Sequence, residues 1–169
     1  PRTGEKACSP CAPGMHGIGN QVWASCPPGM HQENAGQTEC STCPGGKYAT
    51  VSNRITCSTC AKGLYSGEAF SYCEHCPAGF VSNASSEVCV ECAPGFFGTY
   101  MMGKDSCEAC PTGFYSNSTS AIGCKACPLG YFAHSEASPV CTGCAAGNGN
   151  TVLRSECDGC QKGWYSPGG

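Results

Sequence analysis

The sequence predicts small disulfide-rich repeats, arranged as an elongated, rod-like solenoid with little regular secondary structure beyond short β-hairpins and turns. Two counts predict this class. Cysteine supplies 19 of the 169 residues, a share typical of a disulfide or metal scaffold in a short chain. Leu, Ile, Val and Phe together also number 19, about 11% of the chain, whereas an ordinary hydrophobic core needs roughly 20% or more.

A regular spacing of C-x-x-C pairs divides the chain into repeats. Nine pairs begin at Cys8, Cys40, Cys57, Cys73, Cys89, Cys107, Cys124, Cys141 and Cys157, and from Cys40 onward they recur every 16–18 residues. The gap after the first pair holds one more repeat, in which Cys26 is the second cysteine and Trp23 takes the place of the first. Residues 1–169 therefore form a single continuous array of repeats 1 to 10, starting near 8, 23, 40, 57, 73, 89, 107, 124, 141 and 157, the last one truncated.

Each repeat is expected to begin with a tight turn. Glycine is the third residue after every second cysteine, at Gly14, Gly29, Gly46, Gly63, Gly79, Gly95, Gly113, Gly130, Gly147 and Gly163. A glycine fixed at one place indicates a positive φ or a close approach of another chain segment. Five repeats read C-P-x-G, which is a turn signal. We call these ten residues the turn glycines.

The two residues after the turn glycine are usually aromatic or large and apolar, as in Phe96-Phe97 and Phe114-Tyr115. They predict a short strand and the only packing contribution of the repeat. A polar stretch then predicts a return loop to the next cysteine pair. Because no stretch has helical periodicity, we expect strands of two to four residues and little else.

Three chemistries compete for the cysteine pairs. Zinc would require pairs grouped in twos, and the spacing shows no such alternation. Redox catalysis places the pair at a helix N-terminus, and proline and glycine follow these pairs instead. A disulfide framework in an oxidising compartment remains the favoured interpretation, and N-glycosylation sequons at Asn83 and Asn117 in the return loops agree with it.

Chain geometry favours a ladder in which the second cysteine of each repeat bonds the first of the next, closing loops of 12 to 14 intervening residues. The predicted pairs are Cys26–Cys40, Cys43–Cys57, Cys60–Cys73, Cys76–Cys89, Cys92–Cys107, Cys110–Cys124, Cys127–Cys141 and Cys144–Cys157. A connectivity that crosses alternate pairs stays open. Each closure of this size contributes about 3 kcal/mol by restricting the unfolded chain, which an array poor in apolar residues needs.

The ladder leaves Cys8, Cys11 and Cys160 unpaired or intermolecular. The residues after Cys160 and before Cys8 number nine and seven, which together approach the length of an internal loop. A head-to-tail homopolymer, covalent if these two cysteines meet, is therefore one expectation. The alternatives are a local Cys8–Cys11 bond or a fragment of a longer array.

Composition excludes several function classes. A formal charge of −3 without charge runs gives no electrostatic basis for binding nucleic acid or an anionic membrane. No catalytic motif, phosphate loop or dinucleotide fingerprint is present, so we expect no enzyme activity, catalytic residue, metal or cofactor. His16 and His31 follow Gly-Met in consecutive repeats, where other repeats carry an aromatic residue, and we interpret them as packing substitutions.

The sixth repeat has the longest and most apolar loop, with Phe96, Phe97, Tyr100, Met101 and Met102. An array one repeat thick buries little of such a loop, so these residues are a candidate intermolecular interface. Packing onto the fifth or seventh repeat is the alternative.

The strings C-P-A-G-F-V-S-N-A-S-S-E-V-C from Cys76 and C-P-T-G-F-Y-S-N-S-T-S-A-I-G-C from Cys110 resemble ephrin-receptor-like cysteine-rich repeats. The same loop is similar to the first half of a tumour necrosis factor receptor module. The resemblance implies a loop closed by a disulfide between its end cysteines. It implies receptor ectodomains, protist surface antigens and extracellular fibres as functional classes.

The sequence shows no signal peptide and no apolar run of ~20 residues, so we expect a processed or excerpted extracellular piece, secreted or held at the cell surface. The predicted function is a glycosylated, disulfide-closed structural protein that assembles with itself into a filament, fibre or surface coat. The alternative is a receptor-type ectodomain that binds a protein ligand.

Overall fold

A computed structural model of the chain describes residues 9–19, 22–99 and 106–168. Within these residues, eighteen short β-strands pair as nine separate antiparallel two-stranded sheets, and no helix occurs. The fold is therefore a series of small disulfide-linked hairpins, as the sequence predicted.

Each hairpin joins two consecutive repeats. Its first strand follows a turn glycine, and in all but the first and last hairpins its second strand is the pair of residues between the two cysteines of the next C-x-x-C. In repeat 3, for example, Lys47 lies opposite Thr59 and Tyr48 lies opposite Ser58. The strands are β1 (Met15–Gly19), β2 (Val22–Ser25), β3 (Met30–His31), β4 (Ser41–Thr42), β5 (Lys47–Tyr48), β6 (Ser58–Thr59), β7 (Leu64–Tyr65), β8 (Glu74–His75), β9 (Phe80–Val81), β10 (Val90–Glu91), β11 (Phe96–Phe97), β12 (Glu108–Ala109), β13 (Phe114–Tyr115), β14 (Lys125–Ala126), β15 (Tyr131–Phe132), β16 (Thr142–Gly143), β17 (Asn148–Asn150) and β18 (Cys157–Gly159).

The turn glycines all have positive φ, between 75° and 88°, which confirms the prediction made from their fixed position. In repeat 3 the N–H of Lys47 donates to the carbonyl of Pro44 at 3.1 Å, which closes a four-residue turn with Gly46 in third place. A positive φ at the third residue is what a type II turn requires. Glycine is needed there because an L side chain is strained in this region.

The interior is built from sulfur and small side chains. The buried cysteines are the second ones of their pairs, at Cys26, Cys43, Cys60, Cys76, Cys92, Cys110, Cys127 and Cys144. Between them lie buried small residues three positions after a turn glycine, namely Ala49, Ser66, Ser82, Ser116 and Ala133. The prediction that the aromatic pairs are the only packing contribution is wrong. Most are half-buried, because a two-residue hairpin has neighbours over one side only.

The first repeat departs from the pattern. Its strands β1 and β2 are longer than the others, and a bulge lies between Gly17 and Gly19. Trp23, in the place of a first cysteine, lies in β2 opposite Gly17 and is 56% exposed. A longer hairpin therefore replaces the disulfide at this repeat.

The chain forms two compact units. One comprises Pro1–His75 and Asn83–Val88, and the other comprises Cys76–Ser82 and Cys89–Gly169. The same hairpin and disulfide pattern recurs in each, and all contacts described below lie within one unit. The single continuous array stays a prediction.

Candidate functional site

The disulfides of the structure are the eight pairs of the favoured ladder, Cys26–Cys40, Cys43–Cys57, Cys60–Cys73, Cys76–Cys89, Cys92–Cys107, Cys110–Cys124, Cys127–Cys141 and Cys144–Cys157. Cys11 and Cys160 are free thiols, both half-buried, and Cys8 lies outside the described residues. The Cys11 Sγ lies 3.4 Å from the carbonyl oxygen of Gln37. The ladder fixes the two ends of every return loop and so determines where each loop can fold back.

Backbone hydrogen bonds join each repeat to the next. The N–H of Gly46 donates to the carbonyl of Ser66 at 2.7 Å, and the N–H of Ser66 donates to the carbonyl of Ser86 at 3.3 Å. In the second compact unit, Gly95 and Ser116 make the corresponding bonds, at 2.7 and 3.2 Å. Because both partners are main-chain groups, the contact needs only a turn glycine and a small residue that lets the strands approach.

In repeats 2–5 and 7–9 the return loop reaches back through one residue with positive φ, which we call the loop tip. The loop tips are Gly36, Asn53, Ala69, Ser85, Ser120, Ala137 and, in repeat 9, the Leu153-Arg154 step. The N–H of Ala69 donates to the carbonyl of Cys43 at 2.8 Å, and that of Ser120 donates to the carbonyl of Cys92 at 2.9 Å. The loop tip is therefore anchored to the second cysteine of the preceding repeat.

The carbonyl of the loop tip then covers the turn glycine two repeats earlier. A Cβ added at Gly79 would lie less than 3.0 Å from the carbonyl of Ser120. The same overlap occurs for Gly14 with Asn53, Gly29 with Ala69, Gly46 with Ser85, Gly95 with Ala137, and Gly113 with Leu153. Packing thus extends to alternate repeats as well as to neighbouring ones.

Two turn glycines are uncovered. Within the part of the chain that the structure describes, nothing lies within 4 Å of a Cβ placed on Gly147 or Gly163. The N–H of Gly163 has no hydrogen-bond partner among the same residues.

Exposed apolar side chains lie near Gly147 and Gly163. Near Gly147 and Gly163 the exposed fractions are 98% for Val152, 75% for Leu153 and 77% for Trp164. These residues, with Glu156, Asp158 and Cys160, border a shallow groove of about 650 Å³. We call this the 147–165 surface.

Ile18, Val22 and Trp23 of the first hairpin are each more than half exposed. With the loop tip Gly36 they form what we call the 18–36 surface. The chain has two tryptophans, and one lies on each surface. Tryptophan is enriched in protein interfaces, and both tryptophans are more than half exposed.

A histidine lies beside one disulfide. The Nδ1 of His31 is 3.2 Å from the Sγ of Cys57. A ring nitrogen of His31 and the Sγ atoms of Cys43 and Cys57 all lie within 4.8 Å of one another, close enough to suggest a metal site. The two sulfurs are joined to each other, so they are not available as thiolate ligands. His31 itself is half-buried in β3, where other repeats place an aromatic residue. The arrangement agrees with the packing interpretation.

The remaining predicted sites are the two glycosylation sequons and the apolar loop of repeat 6. Asn83 and Asn117 are exposed and directly follow the buried Ser82 and Ser116. Phe96 and Phe97 are half-buried in β11, opposite Ala109 and Glu108. Tyr100, Met101 and Met102 lie outside the described residues, so the candidate interface of repeat 6 stays a prediction.

One hydrogen bond among the described residues shifts the pKa of a tyrosine. The hydroxyl of Tyr65 donates to Oε2 of Glu74 at 2.8 Å. This hydrogen bond, together with the negative charge of the carboxylate, raises the pKa of Tyr65 above its ordinary value of 10.0. The interaction links the two strands of one hairpin, β7 and β8.

Residues 79–123 match the family described as tyrosine-protein kinase ephrin type A/B receptor-like. The matched segment runs from the turn glycine of repeat 5 to the residue before Cys124, and it includes the complete Cys92–Cys107 loop and all of the Cys110–Cys124 loop except its last cysteine. This segment is similar to ephrin-receptor-like cysteine-rich modules. The chain as a whole is a cysteine-rich repeat array, since the same hairpins and disulfides continue on both sides of the match.

The search of curated proteins found no match to the chain. Among the described residues, none forms a helix that is long and apolar enough to span a membrane. The disulfides and the receptor-like module identify the array as extracellular in type, because disulfides persist in oxidising compartments.

Proposed function

We propose that the protein is an extracellular structural protein, secreted or held at the cell surface, whose copies assemble end to end into a filament, fibre or surface coat. In this proposal it is not an enzyme and needs no metal or cofactor. Its glycans are attached at the exposed Asn83 and Asn117. Its partner is another copy of itself.

The observation that carries the proposal is the repeated contact between backbone groups. Turn glycines are covered by loop tips in six places. A contact made by main-chain groups at a fixed spacing is repeated whenever another repeat is added, including a repeat that a second copy supplies.

The disulfide ladder supports a structural role. In each of the eight disulfides the two cysteines are 13 to 15 residues apart. Each loop closure of this size contributes about 3 kcal/mol by restricting the unfolded chain. The stabilisation is spread evenly along the array rather than concentrated in one core. This distribution suits a protein that bears mechanical or proteolytic stress along its whole length.

Assembly is tested with the purified, oxidised chain. Sedimentation velocity over a wide concentration range, with negative-stain electron microscopy of the same samples, should show species that grow with concentration and extended particles. Non-reducing gels report whether a thiol pair adds covalent links. A single monomeric species at every concentration would contradict self-assembly.

The second candidate is a receptor-type ectodomain that binds a protein ligand. The match of residues 79–123 to an ephrin-receptor-like module supports it. A stable monomer that captures one defined extracellular protein would favour this candidate over the structural one. The affinity for that protein should be lost on substitution of exposed residues within 79–123.

A further inference from the structure

We propose that His31 and the Cys43–Cys57 disulfide form a redox-gated metal site, which binds Zn²⁺ or a similarly thiophilic ion when the disulfide is reduced. A ring nitrogen of His31 and the two sulfurs lie within 4.8 Å of one another, and among the described residues this is the one place where three such ligand groups meet. Two thiolates and an imidazole are a ligand set that zinc prefers. The site goes beyond the proposed function, in which no metal takes part.

The three ligands come from three successive repeats. His31 is the second residue of β3 in repeat 2, Cys43 is the second cysteine of repeat 3, and Cys57 is the first cysteine of repeat 4. The spacing argument against zinc concerns sites in which two neighbouring C-x-x-C pairs supply four cysteines. It does not cover a site that takes one sulfur from each of two pairs and a histidine from another repeat.

Backbone hydrogen bonds hold these ligands together independently of the disulfide. The N–H of Cys43 donates to the carbonyl of Gly29, two residues before the histidine, at 2.9 Å. The N–H of Gln32, next to the histidine, donates to the carbonyl of Arg54, three residues before the other cysteine, at 3.1 Å. Because neither bond involves sulfur, we expect the ligands to stay close to one another when the disulfide opens.

The spacing of the ligand atoms suits a tetrahedral ion. With Zn–S of ~2.3 Å and Zn–N of ~2.0–2.1 Å, tetrahedral zinc separates a ligand sulfur from a ligand nitrogen by about 3.6 Å. The Nδ1 of His31 is 3.2 Å from the Sγ of Cys57, so a small shift brings this pair to ligand spacing. The two sulfurs separate once their bond is broken. Three ligand groups meet here among the described residues, which leaves the fourth position of the ion to water.

The surroundings of the histidine suit a metal ligand. The Oε1 of Glu33 lies 4.0 Å from Nε2 of His31, the ring nitrogen that does not face Cys57. A carboxylate on that side favours the tautomer with its proton on Nε2, which leaves the lone pair of Nδ1 toward the sulfurs. Cys43 is fully buried and the side chain of His31 is 17% exposed, so the site is shielded from bulk water.

The site opens by a two-electron reduction. A dithiol reductant supplies two electrons and two protons, the S–S bond breaks, the two sulfurs become thiols, and the dithiol closes to its own disulfide. Zn²⁺ then binds the two sulfurs as thiolates, and their two protons pass to solvent. While the S–S bond is intact, His31 packs against it and no thiolate is available.

The test compares the full-length, oxidised wild type with His31→Phe and with His16→Phe as the matched control. His16 occupies the corresponding place in repeat 1, in β1, and an aromatic residue stands at this place in other repeats. Peptide mapping under non-reducing conditions first verifies the eight disulfides in each protein. Each is then treated with increasing amounts of a phosphine reductant, which uses one water per disulfide and competes weakly for zinc, with and without Zn²⁺.

Alkylation of the released thiols, followed by mass spectrometry, reports metal binding at each cysteine, because a metal-bound thiolate reacts slowly. In the wild type, Zn²⁺ should slow the alkylation of Cys43 and Cys57 at least tenfold and that of the other released pairs much less. His31→Phe should require at least tenfold more Zn²⁺ for half-maximal protection of these two cysteines. His16→Phe should match the wild type.

Four results would overturn the proposed site. They are equal protection of every released pair by Zn²⁺, unchanged protection in His31→Phe, an equal loss of protection in His16→Phe, and a Cys43–Cys57 bond that opens only when hydrogen exchange shows the rest of the array unfolding. In the last case the site never exists in the folded protein. None of these results bears on self-assembly, which sedimentation of the oxidised chain tests separately.

Discussion

Substituting Gly79 by alanine tests the contact between alternate repeats. Gly79 has φ +85°, and an added Cβ would lie less than 3.0 Å from the carbonyl of Ser120. The left-handed conformation costs an L residue roughly 1–2 kcal/mol. Displacing the loop tip also breaks the 2.9 Å hydrogen bond from Ser120 N–H to the carbonyl of Cys92, which contributes about 1 kcal/mol. The expected loss is about 2–3 kcal/mol, and part of it falls on a loop 41 residues away in sequence.

Hydrogen exchange measured by mass spectrometry reports this distant effect. The amide of Ser120 should lose protection in Gly79→Ala, with local opening roughly tenfold more frequent for each 1.4 kcal/mol. Gly163→Ala is the matched control, because Gly163 has φ +86° but nothing within 4 Å of its Cβ position. It introduces the same backbone strain without the overlap. The control is measured at concentrations where the protein is monomeric.

Backbone strain and steric overlap have different consequences for the protein. Strain alone predicts that both substitutions loosen only their own repeat. Overlap predicts that Gly79→Ala also exposes the loop around Ser120. Unchanged protection of Ser120 in a folded Gly79→Ala protein, with its disulfides intact, would refute the contact between alternate repeats.

Three further substitutions probe the interior, the ladder and the titrating pair. Ser66→Val should cost about 2–3 kcal/mol in denaturant unfolding, because Ser66 is fully buried and its hydroxyl donates to the carbonyl of Lys47; an exposed serine changed in the same way should have little effect. Replacing both Cys110 and its partner by serine should remove about 3 kcal/mol and make that loop the first site of proteolytic cleavage, and equal resistance to protease would contradict it. Glu74→Gln should lower the pKa of Tyr65 in a spectrophotometric titration. Since the pKa of Tyr65 is raised in the folded protein, the stabilisation from this bond is fully present below pH 10.0 and disappears as pH rises through the folded-state pKa. An unchanged Tyr65 titration in Glu74→Gln would argue against the hydrogen bond.

The repeat register and the turns could be predicted from the sequence because each depends on groups close together in the chain. A glycine that recurs at one place, as at Gly46 and Gly79, reports a local φ, and φ is fixed by local sterics. The favoured disulfide ladder has the same origin, since it closes shorter loops than the connectivity that crosses alternate pairs.

The contacts between alternate repeats could not be predicted in this way. They depend on how far each hairpin rotates and advances relative to the last, and spacing along the chain does not encode that rotation. One signal was nevertheless available. The third position after the turn glycine is Gly, Ala or Ser in eight of ten repeats, and such a preference for small residues indicates close packing at Ser66 and its equivalents.

The prediction about the aromatic pairs was wrong for a related reason. Large apolar residues such as Phe96 and Phe97 are normally assigned to an interior, but here the buried side chains are mainly cysteines and small residues. Phe96 and Phe97 are only half-buried. In a chain with few apolar residues, the disulfides take the place that side-chain packing has elsewhere.

Because the contacts between repeats use main-chain groups at a constant offset, the length of the array is free to change in whole steps. Removing one complete repeat brings an equivalent loop tip over an equivalent turn glycine, so every remaining contact is restored. Removing a single cysteine instead leaves a thiol unpaired in the middle of the ladder. Duplication and loss of entire repeats is therefore the change that such a protein tolerates best, and its exposed side chains can vary widely while the spacing of its backbone stays the same.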